Sequence, residues 1–253
     1  MYRELVEKVA GAAKSKVDMA DKSFMKFMIL SIMAGIFVGI GVILVSTIGG
    51  VLGDEPYTKI ILGTSFGIAL SLVTVVGSEL FTGNNFIMTV GAMDKAVTWA
   101  KVGKVWLYSY IGNLVGSVFI AWLYVQTGLV KGGTASFFYA VSSGKMSTPF
   151  MELFVRGIFC NFLVCLAVLS FMKLKNEVAK LIMIWWCLFA FITSGFEHSI
   201  ANMSMLAVAI MVPGGEAVSL GGYVANLIPV TLGNMVGGIA LVGAVYGYVG
   251  NGK

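Results

Sequence analysis

The one histidine in the chain, His198, lies in the run "GFEHSIANM" (195–203), where Glu197, Ser199 and Asn202 share a six-residue stretch with it. A second polar run, "GSELFTGNN" (77–85), aligns with the first at an offset of 118. Gly77 falls on Gly195, Glu79 on Glu197 and Asn84 on Asn202, whereas Leu80 stands opposite His198 and Thr82 opposite Ile200. The shared residues suit a scaffold, and each copy adds one different polar group. An imidazole near neutral pH can pass a proton to or from a weak acid. A hydroxyl beside a permissive glycine, near a helix N-terminus, can offer donors to an anion. No nucleophile–base pair accompanies His198, and no second histidine or suitably placed cysteine exists to hold a metal or haem. The expectation is no enzyme, no metal and no cofactor.

The surrounding residues decide where this chemistry sits. Of the 253 residues 58% are hydrophobic and 11% charged, with a mean hydropathy of +0.92. That balance cannot cover a soluble core and indicates an all-α membrane protein. Six stretches are long and apolar enough to span: about 27–49, 59–82, 104–127, 152–172, 178–196 and 220–249. Two shorter pieces, 83–92 and 199–212, directly follow spans two and five. Those spans therefore read as broken helices, tolerable at membrane depth only beside a protein-lined cavity. Cys160, Cys165 and Cys187 all lie in apolar runs, where packing is their role.

The positive charges set an orientation. Thirteen of the seventeen Lys and Arg residues fall on one side, in the N-terminal segment, around 95–104 and 173–180, and at Lys253. Lys59, Lys131, Lys145 and Arg156 fall on the other. Both termini are then cytoplasmic in a multi-pass inner (cell) membrane protein. The net charge of +5 is a topology signal, so no nucleic-acid partner is expected. Residues 1–26, charged and long with no apolar core followed by a cleavage site, do not read as a secretory signal. Leu5, Val9, Ala12, Ala13, Val17 and Met19 alternate with charges as in an amphipathic helix, lying on the membrane surface or packed on the protein's own cytoplasmic face.

Two further matches accompany the polar runs. "GIF" recurs at 35–37 and 157–159, an offset of 122, and "GNLVG" (112–116) recurs as "GNMVG" (233–237), an offset of 121. A repeat unit of three spans re-enters the membrane from the opposite side, so the chain reads as two inverted three-helix repeats, about 27–127 and 152–249, in one channel domain spanning 1–253. The breaks in spans two and five then meet near the midplane.

Each candidate has a structural alternative. Glu79 and Glu197 could conduct cations, but beside a break they are expected to accept hydrogen bonds from freed N–H groups. Asn84 and Asn202 are expected to cap the half-helices, with Asn202 also orienting His198. Thr82, just before Gly83, offers donors to an anion or back-bonds to its own helix. Phe66, Leu70 and Phe191 are packing residues or pore constrictions. Lys145 and Lys131, in a long outer loop, can draw anions to a mouth. The small residues of "GNLVG" and "GNMVG" allow close helix approach, with Asn113 and Asn234 bonding between helices.

"SELFTGNN" in a broken span two and "GFEHSIANM" in a broken span five, with six spans and cytoplasmic termini, together resemble the formate/nitrite transporter family over essentially the whole chain. The resemblance implies a homopentamer of aquaporin-like protomers in the lipid bilayer. Each protomer would have its own pore for small monovalent anions or their protonated acids, with protons as co-partners and pH-dependent passage. "FTGNN" is most similar to the hydrosulfide branch. By motif, His198 resembles the family's central histidine, Thr82 the threonine interrupting span two, and Asn202 the asparagine after the histidine. Leu80, Phe66 and Leu70 resemble the apolar slit on one side of the cavity, Phe191 and Val164 that on the other. Asn161 and Lys145 correspond to a pore-lining asparagine and an entrance lysine. Glu79, Gly83, Asn84 and Glu197 remain scaffold for the breaks. The alternative is an aquaporin-type channel for water or small neutral solutes. Its paired "NPA" signature is missing, since Pro56, Pro149, Pro213 and Pro229 do not follow asparagine.

Overall fold

Long apolar runs with no water to satisfy their backbone must close their own hydrogen bonds, and helices do so within one segment. In the computed structural model, which describes residues 2–212, 214 and 217–251, every regular element is helical. Pro213 and Lys253, invoked above, lie outside the described residues. The elements are α1 (Tyr2–Lys22), α2 (Phe24–Leu52), α3 (Thr58–Ser65), α4 (Gly67–Ser71), α5 (Phe81–Met93), α6 (Trp99–Gln126), α7 (Gly132–Ser147), α8 (Phe150–Lys173), α9 (Glu177–Thr193), α10 (Ser199–Met211), α11 (Leu220–Val236) and α12 (Val245–Asn251). Wider, π-helical turns continue α4 over Leu72–Gly77 and join α11 to α12 over Gly237–Ala244.

Among the described residues, five segments are long and apolar enough to cross a membrane: Phe24–Leu52, Thr58–Gly77, Trp99–Gln126, Phe150–Lys173 and Leu220–Gly250. The stretch expected to span over 178–196 is shorter, because α9 has 17 residues and stops at Thr193. Gly77 (φ 91°) and Gly195 (φ 76°) take the left-handed backbone that ends a helix and that an L side chain resists. Ser78 is extended at φ −158°, and the next helix starts at Phe81. The first break therefore falls at 78–80. Gly83, expected at the break, sits inside α5.

One other expectation changes. The outer loop around Lys145 is the helix α7, which buries Phe138 and Ser142; its Gly- and Ser-rich sequence concealed it. Of the two placements open to the N-terminal helix, it takes the one packed on the protein itself. Leu5, Val6, Val9, Ala10, Ala13 and Ala20 are buried, Lys8 Nζ donates to the Met172 carbonyl, and Asp21 bonds Lys101 and Lys104 at 2.6 and 2.7 Å.

Candidate functional site

A helix break leaves both donors and acceptors unpaired, and a carboxylate can answer only the donors. The amides of Asn113 and Asn234 answer both. Asn113 Oδ1 accepts from the Phe81 N–H at 2.9 Å, and its Nδ2 donates to the carbonyls of Glu79 (2.9 Å) and Ser31 (2.7 Å). Asn234 Oδ1 accepts from the Ser199 N–H at 2.8 Å, and its Nδ2 donates to the carbonyls of Glu197 (2.9 Å) and Gly157 (2.8 Å). The remaining N–H groups of Glu79 and Glu197 reach the Leu30 and Arg156 carbonyls. Ser31 and Gly157 hold the same role, as do Leu30 and Arg156, at an offset of 126. The "GIF" match at 122 is thus one helical turn out of structural register.

The two glutamates, expected to take freed N–H groups, instead meet side chains. Lys16 Nζ (2.6 Å) and Asn84 Nδ2 (3.1 Å) both donate to Glu79 Oε2. Lys145 Nζ (2.7 Å) and Asn202 Nδ2 (2.7 Å) both donate to Glu197 Oε2. Asn84 and Asn202 therefore do not cap. Asn202 does not hold His198 either; its second N–H goes to Asn226 Oδ1 at 2.8 Å, and Asn226 Nδ2 donates to the Lys145 carbonyl. Asn226 and Lys16 were not singled out in the sequence, because both act across long separations. The one signal for Lys16 was the repeat, since a glutamate paired in one copy implies a cation near the other.

His198 is itself the cap of α10. Its Nδ1 accepts from the Ala201 N–H at 3.2 Å, so in the neutral ring the proton sits on Nε2. Nε2 lies 3.0 Å from Thr82 Oγ1 in the first turn of α5. Thr82 is fully buried, and its carbonyl accepts from Asn161 Nδ2 (3.2 Å) and from the Cys165 thiol. Asn161 also reaches Asn85 and the Asn234 carbonyl. It stands behind Thr82 and lines none of the cavities described next.

Two large cavities approach the breaks from opposite ends of α2. One, about 580 Å³, takes in Val45, Lys145, Glu197, His198 and Asn202 on the α7 side. The other, about 510 Å³, takes in Lys16, Leu30, Glu79, Gly83 and Asn84 on the α1 side. Between them lies a cavity of about 10 Å³, whose walls include Leu70, Leu80, Val164 and the His198 ring, with room for about one water. Phe66 and Phe191 border both this space and the α7-side vestibule. Their rings meet edge to face at 5.6 Å, and Phe191 lies 6.1 Å from the imidazole. Leu80 borders both this space and the α1-side vestibule. The expected grouping of Phe66 with Leu80 therefore gives way: α3 and α4 run against α9, which brings Phe66 to Phe191.

The family model for formate/nitrite transporters matches residues 3–248. The chain is 41% identical over 251 residues to the nitrite transporter NirC of Escherichia coli (strain K12), covering 98% of this chain and 92% of that protein. Among solved structures, an FNT family ion channel superposes with a TM-score of 0.93 at 38% identity, over 97% of this chain and 98% of that one. A pentameric formate channel with formate bound superposes with a TM-score of 0.83 at 32% identity, over 91% and 98%. These relatives are transporters and channels rather than enzymes, and the chain belongs to the formate/nitrite transporter family of membrane proteins.

Proposed function

We propose that the protein passes a small monovalent anion of the nitrite and formate class, entering from either vestibule and crossing the apolar space between Leu80 and the Phe66–Phe191 pair. The observation that carries this reading is the position of His198. Its ring borders both the α7-side vestibule and the central space, and its Nε2 faces Thr82 at 3.0 Å. A bare anion pays several kcal/mol or more to enter so apolar a slit. Neutralising it there, with a proton taken from water while the His198 Nε2–H steadies the anion, removes most of that cost and makes passage pH-dependent. The starts of α5 and α10, aimed toward the centre, add positive potential to the path.

The names of the relatives support nitrite first and formate next, whereas hydrosulfide rests on the "FTGNN" run alone. The formate channel's description supports a homopentamer. The paired roles of Asn113 and Asn234 support two inverted three-helix repeats, and the lysine count supports cytoplasmic termini in the cell membrane. A second reading, a channel for water or small neutral solutes, is favoured by the apolar walls of the central cavity. The test is flux of nitrite, formate and hydrosulfide into vesicles holding the purified protein, across pH. Anion flux above that of empty vesicles supports the first reading; water flux alone supports the second.

A further inference from the structure

Both mouths of the slit carry the same three side chains in the same bonding pattern. In each, the lysine Nζ and the asparagine Nδ2 converge on one oxygen of the glutamate. The carboxylates are the buried members, with side chains 7% (Glu79) and 4% (Glu197) exposed. The lysines are the more open, at 15% (Lys16) and 20% (Lys145), and both border a vestibule. An ammonium carries three N–H donors, and one of each is committed to its glutamate. The others remain for a solute in the vestibule.

A free lysine at the mouth of a narrow pore would attract an anion and also hold it. Passage needs a site strong enough to admit the ion and weak enough to release it. With the carboxylate 2.7 Å away on Oε2, Lys145 offers hydrogen bonds to an arriving anion while the pair as a whole carries no net charge. We propose that Glu197 and Glu79 set the affinity of the pathway for its anion: each is a built-in competitor for its lysine, keeping anion binding at that mouth weak and release fast. This rests on the anion-passage reading above. Asn202 and Asn84 hold the carboxylates in place for that competition, and Asn226 ties Asn202 to the backbone of α7.

Glu197→Gln keeps the volume and an acceptor for Asn202 but frees the charge of Lys145. In vesicles, the half-saturating nitrite concentration of this variant should fall about three- to tenfold, with maximal flux falling alongside it as release slows. Adding Lys145→Met should abolish the tighter binding. Glu79→Gln should act the same way at the other mouth. A purely structural role would lower thermal stability and leave nitrite affinity, measured by calorimetry on detergent-purified protein, unchanged. If Glu197→Gln fails to assemble, Glu197→Asp pulls the carboxylate back by one methylene and should move half-saturation in the same direction by a smaller factor. Unchanged or raised half-saturation in assembled Glu197→Gln, or in Glu197→Asp in its place, overturns the proposal. If native vesicles pass no nitrite, formate or hydrosulfide, the anion reading itself fails, and that result is separate from any variant.

Discussion

Thr82 Oγ1 and His198 Nε2 stand 3.0 Å apart although 116 residues separate them, and each belongs to the start of a different half-helix. With Nδ1 engaged by the Ala201 N–H, the imidazole presents its Nε2–H to the threonine, and Thr82 and His198, which stand opposite Ile200 and Leu80 in the aligned motifs, become a bonded pair. Thr82→Val removes the hydroxyl without changing the shape and leaves that N–H unpaired in the interior, a loss of about 1–3 kcal/mol. The expected outcome is a lower unfolding temperature in detergent and nitrite flux reduced at least about tenfold. Thr82→Ser should retain most of both.

Besides bonding a carbonyl inside α2 or α8, Asn113 and Asn234 each satisfy one backbone N–H and one carbonyl at a break. Replacing either by leucine keeps the size and strands those groups, at about 1–3 kcal/mol for each buried group left unpaired. Thermal unfolding should show both variants strongly destabilised, whereas Asn113→Gln should be milder. Unchanged stability in either leucine variant would mean the breaks are held by something else.

Gly116 of α6 and Gly237, which opens the π-helical turn after α11, press against α2 and α8, and a Cβ at either would drive into the backbone carbonyl of Ile32 or Ile158. Gly116→Ala and Gly237→Ala should reduce the yield of assembled protein on a sizing column. Gly103→Ala, at a position with open space, should not.

The N-terminal helix carries a pH-dependent tether. Hydrogen bonds from Lys101 and then Lys104 hold the Asp21 carboxyl below its ordinary value of 3.8. A carboxylate lowered on docking stabilises the docked helix above that ordinary value, and the contribution disappears as pH falls through the lowered one. Asp21→Asn should therefore speed proteolysis of α1 at pH 7, and the difference from native protein should shrink as the solution approaches pH 3.

Much of this was legible in the residues themselves. The helical class, the broken second and fifth spans and the two aligned polar runs follow from hydropathy and from "GSELFTGNN" and "GFEHSIANM". Partners chosen by docking did not. Lys16 reaches Glu79 only because α1 folds back under the α1-side vestibule, and Asn226 reaches Asn202 from another helix. Capping was misassigned because asparagine is the better cap in general, yet here each motif asparagine is drawn to a buried carboxylate and His198 takes the cap. Local identity also misled at "GIF", where one turn separates the matching letters from the matching hydrogen bonds.

The most direct measurement is nitrite uptake into vesicles as a function of pH, for native protein and for His198→Asn at equal incorporation. If the anion is protonated beside His198 before it crosses the slit, native uptake rises as pH is lowered, and the variant loses most of its rate together with that rise. Equal rates and an unchanged pH profile in His198→Asn would contradict the role assigned to the histidine.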